Sequence, residues 1–132
     1  MFFIITLEGN TNIMNESIAH IRQEDRSTQS VKNHLIQVSI IASQNASKIG
    51  LSKAGELLGL LHDLGKYSQV FQNYIGSSSG IINHDADEYV DSELLKGKID
   101  HSTAGAKFIW DRCLNEGAHN QIFALLFRCV VS

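Results

Sequence analysis

The amino-acid sequence predicts an all-α fold in a single domain. Three observations carry that reading. Proline is absent from all 132 residues, so no position forbids helix. Apolar residues recur at helical spacing in one segment after another. Between those segments stand Ser, Thr and Gly residues of the kind that start and stop helices.

Taken in order, "MFFIITLEGN" lacks the basic start of a signal peptide, and its apolar stretch is too short for one. Residues 1–17 read as an N-terminal extension or a short strand, with Met14 offering a second start before "NESIAHIRQED". His20, in "SIAHIR", falls on a short extended piece. From Thr28 to Gly50 the positions Val31, Leu35, Val38, Ala42 and Ile49 predict a helix, with Thr28 or Ser30 as its cap and Gly50 as its stop. A second helix runs from Ser52 to Asp63. Ala54, Leu57, Leu58, Leu60 and Leu61 make most of its surface oily, so it is expected to be buried on several sides. Gly55 and Gly59 each cost that helix about 1 kcal/mol in propensity, and their spacing predicts a neighbour packed close.

Gly65 then breaks the helix, and Tyr67 to Ile75 predicts a short amphipathic one through Val70, Phe71, Tyr74 and Ile75. Residues 76–98 are acidic and open on Gly and Ser. They read as a mobile loop holding one short helix near Glu88–Leu95. "DHSTAGAKFIWDRCLNEG" predicts a helix capped by Ser102 or Thr103, facing inward through Ala104, Phe108 and Ile109 and ended by Gly117. The closing "NQIFALLFRCVVS" is apolar nearly all round. Ile122, Phe123, Leu125, Leu126, Phe127, Val130 and Val131 would need cover from outside the chain, the expectation for a piece of something larger that tends to associate.

Composition narrows the function. Hydrophobic residues make up 43 % and charged residues 19 %, a globular balance. The net charge of −3 argues against a free-standing nucleic-acid binder, which would carry a basic face. Cys113 and Cys129 form no CxxC pair and read as reduced core thiols of a cytosolic protein. No apolar run reaches the roughly 18 residues of a membrane span.

The chemistry lies in the six histidines. His62–Asp63 ends the oily helix, where both side chains reach one ion only because the backbone loosens at a helix end. An imidazole nitrogen beside a carboxylate oxygen suits Mn, Fe, Co, Ni, Zn or Mg. The plain alternative is a polar helix terminus. His84–Asp85 supplies an internal control, since it is the same dipeptide set in the acidic loop, where solvation is expected. His34 lies at the edge of an inward stripe. His101 opens a helix, with Asp100 placed to orient its ring. His119 reads as a surface residue before the last segment.

Three stretches in this order, "AHIRQEDRSTQSVKNHL", "LLGLLHDLGKYSQVFQNYI" and "DHSTAGA", resemble the HD nuclease domain of the CRISPR-associated helicase–nuclease of type I systems, the subtype I-C form most of all. The resemblance covers residues 18–132 and implies an HD-superfamily helical bundle. By position it implies that His34, His62, Asp63 and His101 are metal ligands, with Asp63 bridging two ions and His101 on the second. Lys66 matches a lysine near the scissile phosphate, and catalysis would rest on Asp63 and Lys66. His20 matches a position beside the site without an established role as a ligand.

The activity so implied is hydrolysis of single-stranded DNA in antiviral defence, in the cytoplasm. The partners would be a helicase domain and the CRISPR RNA-guided surveillance complex, which deliver the strand and remove the need for a basic groove. The cofactor would be a pair of divalent metal ions (Mn, Fe, Co, Ni or Mg) about 3.5–4 Å apart. In that family a helix like "IFALLFRCVVS" leads into a paired-histidine motif and a distal aspartate. The sequence ends before them, so the expectation is an incomplete domain holding one ion or none, with little cleavage of its own. An HD phosphohydrolase acting on nucleotides and an inactive remnant are the rival readings.

Overall fold

Residues 16–114 are described by the computed structural model of the chain. Strand β1 (Ile18–Ile21) pairs antiparallel with β2 (Thr28–Ser30), and helices α1 (Val31–Ser47) and α2 (Ser52–Leu61) follow. A 3-10 turn, Leu64–Tyr67, leads into α3 (Gln69–Ser78), α4 (Ser92–Leu95) and α5 (Thr103–Leu114). The described chain is mostly helical, as predicted, with a small two-stranded hairpin whose first strand is the extended piece expected around His20. The expectations for residues 1–15, Gly117, His119, Cys129 and the apolar closing segment lie outside the described residues.

Thr28 belongs to β2, so the cap of α1 is Ser30, whose side chain accepts the Asn33 N–H. Gly50, at φ +75°, takes the left-handed conformation that ends the helical run. In the hairpin the register slips between Ile18 and His20, a bulge that turns Ala19 into the core beside Val31 and Leu35. Bulges re-aim their neighbours, and here the neighbour is His20.

The register of α1 against α2 follows from two missing side chains. A Cβ on Gly55 would lie 2.7 Å from the Ala46 Cβ, and one on Gly59 would lie 2.6 Å from the Ser39 nitrogen. Neither fits, so both glycines are required for the helices to approach. Each step of four along α2 goes back along α1, from Ala42 and Ala46 to Val38 and Ser39. The helices are therefore antiparallel, and one further step sets His62 and Asp63 opposite His34. Fold and site are connected at this point.

The core has two parts. Leu61, Ala106 and Ile109 form one, flanked by Leu57, Leu58 and Trp110; Ala19, Val31 and Leu35 form the other. Leu64 packs against both, pinning the turn that carries Asp63. α2 is less enclosed than its composition suggests, since Leu60 is 36 % exposed. Ile49 lies beyond α1 and is 74 % exposed, and Phe108 points outward at 54 %. α5 buries Gly105, Ala106 and Ile109 instead, because Gly105 must abut the Leu61 carbonyl and thereby sets the rotation of the helix. α3 runs through Gly76 to Ser78, so the loop begins later than predicted, and its helix is only the four residues Ser92–Leu95. Among the described residues, no helix is long and apolar enough to cross a membrane.

Alanine favours helix by about 1 kcal/mol over glycine, yet Gly59→Ala forces a methyl into the Ser39 backbone. Overpacking of that kind costs about 1–3 kcal/mol, so urea unfolding should show a net loss of stability. A gain would mean that the two helices do not meet here.

Candidate metal centre

Seven of the residues singled out by sequence come from four segments, and six of them meet. His34 Nε2 lies 3.0 Å from Asp63 Oδ2 and 3.2 Å from His62 Nε2. His62 Nε2 lies 3.4 Å from the same carboxylate oxygen, while His101 Nε2 approaches the other, Oδ1, at 3.9 Å. Lys66 Nζ reaches Asp63 Oδ2 at 2.9 Å and His20 Nε2 at 3.0 Å. Asp63 is thus the hub, with its two oxygens facing different partners. His20, His34 and Asp63 offer one donor atom each within 4.8 Å of one another, a group that could hold a metal ion. His20 therefore belongs to the cluster itself rather than merely lying beside it. Asp100, the seventh, stands apart.

Backbone carbonyls orient two of the rings. His62 Nδ1 donates to Gly59 O at 2.8 Å, and His101 Nδ1 donates to Ile99 O at 3.1 Å. With the proton on Nδ1, Nε2 carries a free lone pair in both rings, and both Nε2 atoms face Asp63. The role expected of Asp100 is thereby corrected. Its carboxylate accepts from the Ser102 and Thr103 backbone N–H groups, each at 3.1 Å, and from the Thr103 hydroxyl. Asp100 caps α5, displacing Ser102 and Thr103 from that role, and the Ile99 carbonyl holds the His101 ring.

Gly65 also differs from its expected part. Its φ is not positive, and the chain passes from α2 into the 3-10 turn without needing a breaker. What Gly65 provides is room: a Cβ there would lie 2.7 Å from His101 Cα, and its N–H donates to His101 O at 3.0 Å. This contact brings the α5 entrance to Asp63.

Two positions matter more than their sequence context suggested. Lys66 is only 4 % exposed, with Phe71 under its ammonium at 5.7 Å, so it is an internal cation rather than a surface one. Gln72 acts as a surrogate strand for β1, accepting the Ile18 N–H at 2.9 Å and donating to Ile18 O at 3.0 Å and Lys66 O at 2.6 Å. It ties the hairpin and the 3-10 turn to α3, and so holds His20 against Lys66. A lone Gln on an amphipathic helix gives no sequence signal for this. His84 and Asp85 are exposed, as expected of the control pair, and among the described residues the His84 ring bonds only to Tyr89, at 2.9 Å.

Burial pushes the His20 imidazole below its ordinary value, with Lys66 and His34 adding to the effect. Burial also lowers His34, against the opposing hydrogen bond from Asp63. For Asp63, burial alone would raise the carboxyl. The hydrogen bond and charge of Lys66, with His62 and His34, overcome it and hold the carboxyl below the usual carboxylate range. At neutral pH the cluster accordingly presents a carboxylate and uncharged imidazoles at His20 and His34, the forms in which such groups bind metals.

All three shifts have one sign, so the unfolded chain takes up protons before the folded one as pH falls. Their stabilisation is complete above the ordinary imidazole value of 6.5, declines as pH drops through the lowered histidine values, and declines again below 3.8 with Asp63. Urea unfolding of metal-free protein across this range should therefore show stability falling from pH 7 to pH 5. A flat or rising profile would contradict the lowered values of these rings. Separately, Asp100→Ala should lower the urea midpoint through the lost cap, and Asp100→Asn much less.

Comparison with known proteins found no family model, no curated protein and no solved structure that matches the chain.

Proposed function

We propose that this chain is a metal-dependent phosphodiester hydrolase of the HD nuclease type, acting on single-stranded DNA. The observation that carries the reading is the divided carboxylate of Asp63, with His34, His62 and Lys66 at Oδ2 and His101 at Oδ1. A carboxylate used only as a helix terminus would not gather three imidazoles from separate segments.

The donor set fits a divalent metal. Ligand bonds of roughly 2.0–2.2 Å place neighbouring donors on one ion about 3–4 Å apart, the range that His34, His62, Asp63 and His101 span. His34 Nε2 has one proton to share between Asp63 Oδ2 and the free lone pair of His62 Nε2. A cation satisfies all three atoms where a proton serves them poorly. Nitrogen and carboxylate donors without thiolate suit Mn, Fe, Co, Ni or Mg. His34, His62 and Asp63 would hold one ion, with His20 within reach of it, while Asp63 and His101 alone are too few ligands to hold a second firmly.

Such ions, when bound, activate water and offset charge on the attacked phosphate. The chain's own residues do the rest. Asp63 holds the centre together from the end of α2. The carbonyls of Gly59 and Ile99 fix the rings with Nε2 inward. Lys66, desolvated and anchored over Phe71, sets a fixed positive charge beside Asp63, where an anionic phosphodiester would otherwise meet a carboxylate. A helicase domain and a CRISPR RNA-guided surveillance complex in the cytoplasm are the partners that this reading assigns.

Calorimetric titration of the chain with Mn²⁺, beside cleavage of a labelled single-stranded oligonucleotide, tests the proposal. Asp63→Asn should weaken metal binding by about 100-fold or more, beyond the 10–100-fold typical of residues behind the ligands. Cleavage by the chain alone should be slow and abolished by chelation, and His84→Ala should change neither binding nor cleavage. Equal metal binding by Asp63→Asn would refute the centre, and turnover of nucleotides in place of DNA would transfer the chemistry to the other branch of the superfamily.

A further inference from the structure

Beside the metal centre the hairpin opens onto a cleft of about 510 Å³, with His20, Arg22, Arg26, Ser78 and Ser79 among its walls. His20 is also the residue whose Nε2 touches Lys66, itself on Asp63. The cleft therefore leads from the surface to the proposed reaction centre. In a chain of net charge −3, its walls carry two guanidinium groups and no carboxylate.

Both arginines are placed for a ligand rather than consumed in structure. Arg22 is matched only by Asp25, at 3.3 Å, with both side chains more than half exposed. Pairs so exposed are worth little and exchange readily for a better anion. Arg26 sits at φ +57°, the one positive φ outside glycine among the described residues. Left-handed backbone is uncommon for a residue with a Cβ, and such outliers gather at functional positions. The turn that imposes it directs Arg26 across the cleft, where one guanidinium nitrogen donates to Ser79 O at 2.8 Å. That bond steadies the fork against the end of α3 and leaves its remaining N–H groups for an acceptor.

We propose that this cleft is the track for the sugar-phosphate backbone of a single strand, with Arg22 and Arg26 each holding one phosphate beside the scissile position. The inference rests on the reading of the centre as a phosphodiester hydrolase and adds where the substrate lies. Guanidinium groups match phosphate oxygens in geometry and charge. A duplex is a stiff rod and cannot fold its backbone down to a carboxylate whose side chain is only 15 % exposed, whereas a single strand can. No Phe, Tyr or Trp lines the cleft, so bases have no platform to stack on and the grip is independent of sequence.

The test measures binding without metal, so that it stands apart from the cleavage experiment. Fluorescence anisotropy with oligo(dT) of roughly 15 nucleotides, in chelator and across a salt series, gives the dependence of affinity on salt. Losing two phosphate contacts flattens that slope by about 1.4 on a logarithmic scale. The double substitution Arg22→Gln with Arg26→Gln should show this flattening and bind about tenfold or more weakly at low salt. Arg22→Lys with Arg26→Lys should keep the slope, because it keeps the charge. His84→Ala should bind as the parent does, and because the assay holds no metal, a failed metal centre and a failed track give different results. An unchanged slope in the Gln pair, an equal loss in the Lys pair, or no binding by the parent at low salt would each overturn the proposal.

Discussion

The close approach of α1 and α2 through Gly55 and Gly59 is the contact on which the site depends. Where a side chain would have held the helices apart, backbone meets backbone, and the register becomes a matter of hard contact rather than of adaptable packing. His34 stands on one helix and His62 and Asp63 at the end of the other, so a shift by one turn would separate them. A second pair of glycines repeats the device: Gly65 admits the His101 backbone, and Gly105 admits the Leu61 carbonyl. Four positions without side chains thus locate four side chains that carry chemistry.

Much of this was legible beforehand. The stripe Val31, Leu35 and Val38 announces α1, and Ser30 and Gly50 mark its ends where the structure has them. The paired glycines of α2 announce a close neighbour, and that neighbour is α1. The two His-Asp pairs divide by environment, as their flanking residues suggest, one half-buried at the hub and one in solvent.

The misreadings have one physical origin, which is tertiary contact between segments distant in sequence. Phe108 looks like a core residue by periodicity, yet the orientation of α5 is dictated by Gly105, and the aromatic ring turns outward. Asp100 looks like the partner of its neighbour His101, but the unpaired N–H groups at a helix start are nearer and more numerous. Gln72 carries no pattern at all, and its value comes from Ile18, fifty-four residues away. The second strand, Thr28–Ser30, reads in sequence as part of a helix cap because three residues are too few to show an alternation.

The same layout has a bearing on how the protein comes to be built. His34, His62 and Asp63 all lie in one helical hairpin, closed by the short turn between Ser47 and Ser52. His101 must be brought back across the whole of α3 and the acidic segment. Loop closure costs more entropy as the loop lengthens, and short-range contacts form sooner. The expected order of assembly is therefore hairpin first and α5 last. The carboxylate and two of its imidazoles come together while the chain is still partly open, and the final imidazole closes over them only when the molecule is complete.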